Sequence, residues 1–133
     1  MDASQAALLL TKASAYDNRT VGDVAALAWA EALADVQFED AKTAVVDHYR
    51  ESRAWIMPVD VIARVRTIRA TRYANTTLRD APTELDAATA SDRYRTWERT
   101  YRLAIQDGTP EPEAYRLAAL AAGVGALEAE VRA

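Results

Sequence analysis

The chain has 133 residues, half of them apolar, which suits one compact domain or a small domain with an appendage. It has no cysteine, which excludes disulfides, thiolate chemistry and zinc-finger spacings. A net charge of −4 gives no global reason to bind nucleic acid, and the longest apolar run, residues 117–127, is far short of the ~20 residues a membrane span needs.

Met1-Asp2 opens on an acid and the run AALLL is only five residues long, so no signal peptide is expected. A cytoplasmic protein, away from any membrane, is the default. Much of the apolar half is alanine, which buries little area, so the large apolar residues carry most of the core. No stretch alternates polar and apolar residues long enough for a strand, and alanine, leucine, glutamate and arginine favour helix. The expected fold is all-α: a four-helix N-terminal domain over residues 1–75, a linker over 76–86 and a two-helix C-terminal element over 87–133.

The first helix is expected over about residues 3–15 and is broken at YDNRT, where Asp17 and Asn18 favour a turn. Thr20 with Asp23 has capping-box spacing and predicts a second helix over about 21–35, with Trp29, Leu33 and Val36 on one face. The third, about 38–52, carries Phe38, Ala41, Val45, His48 and Tyr49 on one stripe. Its acids Glu39 and Asp40 lie in the first turn and its bases Arg50 and Arg53 near the last, as the helix dipole favours.

Pro58 suits the first position of the fourth helix, since its missing N–H would be unpaired there. Trp55, Ile56 and Met57, just before it, are expected to close the front core as a staple. Val61, Ile62, Val65 and Ile68 form an apolar stripe that turns cationic at Arg69 and Arg72, so the second half is expected to project beyond the core. The segment NTTLRDAPTELD reads as the linker. A fifth helix follows over about 87–106, with Tyr94, Trp97, Tyr101 and Ile105 at helical spacing, and a sixth over about 113–131, weakened at Gly123 and Gly125.

Little here carries bond chemistry. His48 is the only histidine and lies mid-stripe between Val45 and Tyr49, which favours a structural role over a base or ligand. No converging ligand set is spaced for a metal, and GVG in AAGVGAL lacks the strand and the Lys-Ser/Thr of a phosphate loop. Neither cofactor nor enzymatic activity is expected. Residues 61–79 hold Arg64, Arg66, Arg69, Arg72 and Arg79 and no acid. Fourteen arginines against two lysines, with so much alanine, also fit the codon bias of a GC-rich genome, which weakens the arginines as a signal. The patch Arg64, Arg66, Arg69 and Arg72 is either a solvated helix end or a contact for phosphate or an acidic protein. It spreads over too wide an arc for base reading. The stripe Tyr94, Trp97, Tyr101 either packs within the chain or anchors a protein partner, a frequent role of Trp and Tyr.

Across residues 20–68 the order is Thr20, then Trp29 with Leu33 and Asp35, then FEDAKTAVVDHY, a short gap, and WIMPVDVIARV. This order resembles the N-terminal helical domain of the phage helicase loader-and-inhibitor family. There a helix with a central Trp leads into a helix with an acidic start, and a hydrophobic-Pro-x-Asp-Ile/Val turn opens the last helix. The pattern is also similar to small genes of phages or prophages of GC-rich actinobacteria. The resemblance covers about 50 of the 133 residues. It implies a non-enzymatic adaptor that binds a hexameric DnaB-type replicative helicase, holds it inactive and delivers it to an origin-bound protein. In that family the C-terminal portion engages the helicase; here that portion is expected to be more helical and more aromatic. The docking residues expected on this reading are Tyr94, Trp97 and Tyr101, then the basic helix end, with a weak nucleic-acid contact and a homo-oligomer as further expectations. The alternative is a small DNA-binding regulator using Arg64, Arg66, Arg69 and Arg72.

Overall fold

The computed structural model describes residues 1–125. Among them the chain forms six helices and no strand: α1 (Ala3–Asp17), α2 (Asp23–Ala32), α3 (Phe38–Glu51), α4 (Pro58–Ala74), α5 (Ser91–Gln106) and α6 (Glu111–Ala121). The all-α expectation holds. The chain divides into two compact units, Met1–Ile68 and Arg69–Ala133, so the division falls inside α4.

In the first unit, α1 starts at a reciprocal cap. The Asp2 carboxylate accepts from the Gln5 amide at 2.8 Å, and the Gln5 side chain accepts from the Asp2 amide at 3.1 Å. The helix runs two residues past the expected end and stops at Asn18, which takes the left-handed conformation with φ of 59°. The second helix does not use the expected Thr20 cap. It begins at Asp23 behind Gly22, and no side chain caps it. Residue 19 is drawn inward by an ion pair described below, which keeps the chain out of helix until Asp23. The core comprises Leu9, Leu10, Trp29, Leu33, Val45, Ile56, Val61 and Val65 with the small residues between them, so the stripes expected on helices two to four are the ones buried. His48 is buried too, with its Nε2 2.7 Å from the Ala54 carbonyl. A carbonyl only accepts, so Nε2 carries the proton and donates.

In the second unit, the last turns of α4 do not project. Arg69 pairs with Asp107, Arg72 donates to the Gln106 carbonyl, and Tyr73 packs on this unit's core. The segment read as a linker contributes to that core as well, through buried Pro82 and Leu85. α5 begins at Ser91 instead of near 87, because the Asp86 side chain accepts from the Ala88 amide at 2.7 Å and holds a turn there. α6 starts two residues earlier than expected, with proline in its first turn. It ends at Ala121 because Gly123 turns left-handed at φ of 82°, and its amide and that of Val124 bond back to Leu120 and Ala119. The part of the expected sixth helix at residues 126–131 lies outside the described residues.

Packing in this unit sets large against small. Trp97 and Tyr101 stack at 5.0 Å, and Tyr115 meets both edge-on at 6.1 and 5.8 Å. Ala114, Ala118, Ala119 and Ala122 of the alanine-rich stretch are buried in the same cluster. Alanine there lets α6 approach the aromatic face of α5 closely.

Candidate functional site

The expected docking stripe is consumed by this packing. Trp97 and Tyr101 are only 4% and 3% exposed, and Tyr94 is half-buried with its ring 6.0 Å from Trp97. A partner reaches the first two only by opening the second unit. The stripe is therefore core, and its helical spacing is the ordinary signature of a buried helix face. A shallow concavity of about 230 Å³ runs beside it, bordered by Tyr73, Leu78, Tyr94 and Glu98. Among the described residues no acceptor meets the buried Trp97 indole N–H.

The basic patch is divided as well. Arg64 pairs with Glu51 at 3.1 Å and belongs to the first unit, as does exposed Arg66. Arg69 and Arg72 belong to the second, engaged with Asp107 and the Gln106 carbonyl. An arginine already bonded to a carboxylate or a carbonyl must break that bond before gripping phosphate, so the set does not act as one free cationic edge.

A concavity of about 600 Å³ is an open groove on the first unit bordered by Asp47, His48, Glu51, Asp60 and Arg64. Asp60 accepts from the Met57 amide at 2.8 Å and Glu51 is held by Arg64, so two of its carboxylates have structural work. Among the described residues no group of three or more His, Cys, Asp or Glu converges to hold a metal ion.

A further exposed apolar surface lies before α4. The chain between α3 and α4 is irregular, with a bend at Ala54, and its conformation is fixed by a buried polar lock. Arg19 binds Asp17 at 2.6 Å, with their side chains 7% and 3% exposed. Tyr49 donates its hydroxyl to the same carboxylate and accepts the Ile56 amide at 3.0 Å, while Arg19 donates to the Ile56 carbonyl at 2.8 Å. Both backbone groups of Ile56 are thus held, and its side chain is fully buried. Burial by itself would raise the Asp17 carboxyl. The hydrogen bonds from Arg19 and Tyr49 and the Arg19 charge outweigh it and hold the group below the usual carboxylate range. Burial, then the bond to Asp17, pushes the Tyr49 phenol up.

With Ile56 locked inward, Trp55 and Met57 face out, 57% and 50% exposed, and Val59 in the first turn of α4 is 70% exposed. The staple expected from Trp55, Ile56 and Met57 is therefore made by Ile56 alone. The guanidinium of Arg19 lies 5.0 Å from the Trp55 ring and 5.4 Å from that of Trp29, so the exposed indole rests on a buried cation. The rib Trp55, Met57, Val59 is apolar, exposed and held by the core. Its signal was present in the sequence as three large apolar residues at spacing two across the start of a proline-started helix.

The chain matches no protein-family model, no characterised protein and no solved structure.

Proposed function

We propose that this chain is a non-enzymatic adaptor that docks on another protein through the rib Trp55, Met57 and Val59. One observation carries the reading: three large apolar side chains are half or more exposed on a segment whose intervening residue is locked into the core at both its amide and its carbonyl. Tryptophan is enriched among interface residues that dominate binding. A segment already ordered before binding loses little conformational freedom on docking, so more of the contact energy appears as affinity.

The partner proposed is a hexameric DnaB-type replicative helicase. What supports it is the pattern resemblance over residues 20–68, in which the rib forms the opening of the last helix. On this reading the chain loads or restrains the helicase during phage DNA replication in the host cell. The DNA-binding alternative through the basic end of α4 draws less support, since Arg64, Arg69 and Arg72 are each already bonded.

The test is size-exclusion co-elution with a purified helicase hexamer, with Trp55→Ala and Met57→Ala as probes. Binding of the parent chain and its loss by about 30-fold or more in Trp55→Ala is the expected result, the weakening typical of a central anchor. Failure of the parent chain to bind an intact hexamer removes the helicase. Capture of a different host protein that depends on Trp55 keeps the adaptor and replaces the partner.

A further inference from the structure

Eight of the arginines among the described residues are tied to a carboxylate or a carbonyl: Arg19, Arg50, Arg64, Arg69, Arg79 and Arg116 in ion pairs, and Arg72 and Arg93 on backbone oxygens. Against that background α5 is unusual. Arg95, Arg99 and Arg102 are all exposed, and no described residue forms an ion pair or hydrogen bond with any of their guanidinium groups. Their spacing, four residues and then three, places all three within an arc of roughly 60° on the helix. They advance about 10.5 Å along its axis at 1.5 Å per residue. The aromatic stripe of the same helix faces the core, so this row is the solvent side of a helix whose orientation is fixed by packing.

We infer that the row Arg95, Arg99, Arg102 is a contact for the phosphate backbone of double-stranded nucleic acid, engaged without regard to sequence. Three features select this partner. Arginine's planar fork matches phosphate oxygens and grips them in pairs. The face around the row is polar, with Ser91, Thr96 and Gln106. Its one large exposed apolar residue is Leu103 at 37%, so it lacks the apolar centre of a protein interface. Single-strand binders add aromatic platforms on which bases stack, and the aromatics of α5 are turned inward, which leaves the duplex backbone as the fit. The net charge of −4 opposes binding only at long range, because salt at 0.1 M screens charges beyond about 10 Å. Asp92 and Glu98 flank the row and limit its strength.

This surface is independent of the apolar rib, and the two separate cleanly. Fluorescence anisotropy of a labelled mixed-sequence DNA duplex, about 20 base pairs long, is followed from about 30 to 200 mM salt, with the same strand unpaired and a polyglutamate peptide as competitors. Weak duplex binding is expected, with log K falling against log salt at a slope of about −2.7 for three phosphate contacts. The triple variant Arg95→Gln, Arg99→Gln, Arg102→Gln is expected to weaken it at least about tenfold with unchanged helical circular dichroism, glutamine being a good helix former at exposed positions. Glu98→Gln is expected to strengthen it, and Trp55→Ala to leave it unchanged. No duplex binding at the lowest salt, equal binding by the triple variant, or preference for polyglutamate or the single strand overturns the inference.

Discussion

The two units solve one problem with the same parts. In each, a tyrosine hydroxyl accepts a backbone amide of an irregular segment and donates to a carboxylate that is ion-paired to an arginine packed on aromatic rings. In the first unit these are Tyr49, the Ile56 amide, Asp17 and Arg19, with Trp29 and Trp55. In the second, Tyr101 accepts the Arg79 amide at 3.1 Å and donates to Glu111 at 2.5 Å. Arg79 reaches Glu111 at 2.7 Å and lies 4.0 Å from the Tyr115 ring. The difference lies in depth and in what each lock leaves outside. The Arg19–Asp17 pair is 7% and 3% exposed, the Arg79–Glu111 pair 26% and 20%. The first lock turns Trp55 and Met57 out to solvent, whereas the segment held by the second sends Pro82 and Leu85 into its core. An irregular segment pinned by its backbone can thus either close a core or present a surface.

The largest expected effect comes from the deeper lock. Asp17→Ala leaves the Arg19 charge buried and unpaired and is expected to destabilise the first unit by about 3–5 kcal/mol in urea unfolding. Glu111→Ala is expected to cost distinctly less, because water reaches Arg79; equal costs would erase the distinction in depth. Next, Ile56→Ala is expected to cost about 2–4 kcal/mol as a cavity in a fully packed core. Trp55→Ala, one residue away, is expected to cost only about 0.5–1 kcal/mol through the lost contact with Arg19, while abolishing partner binding. If the two cost the same, the assignment of Ile56 inward and Trp55 outward is wrong.

Between these lie the tyrosines. Tyr49→Phe and Tyr101→Phe each leave a backbone amide and a carboxylate short of a partner, for about 1–2 kcal/mol. They also make both units sensitive to alkali, since both phenols are pushed up. Burial, then the bond to Glu111, pushes the Tyr101 phenol up to about 12. The folded state therefore holds that proton more tightly than the unfolded chain, and this contribution is complete below about pH 10 and lost as pH rises toward 12. Alkaline titration monitored by circular dichroism should show the loss, and Tyr101→Phe should remove that component of it. On the acid side the sign reverses. Burial raises the Glu111 carboxyl, but the bonds from Arg79 and Tyr101 bring it below its usual range, as Arg19 and Tyr49 do for Asp17. Both locks therefore contribute fully above about pH 4 and weaken as pH falls below it.

Much of the helical framework was legible in the residues. Proline 58 marked the start of α4 and the third helix was placed to within one residue, because period and end chemistry are local. The ends that moved did so through longer-range or competing bonds: Arg19 displaced the Thr20 cap, and Asp86 and Gly123 shortened the last two helices. The site was less legible. Tyr94, Trp97 and Tyr101 show a stripe at helical period, and such a stripe looks the same whether its cover is α6 or another protein. Arg69 and Arg72 look like a free cationic end until Asp107 and the Gln106 carbonyl, more than 30 residues away, are found against them.

By itself the sequence determined that the chain is helical and which faces of its helices are apolar, since period and propensity act within a few residues. Tertiary structure decided which apolar and charged residues were left over. Trp55, Met57 and the arginine row of α5 differ from Trp97 and Arg69 not in chemistry but in how far the fold covered or paired them. That covering and pairing come from residues distant in the chain, brought close only when the core forms.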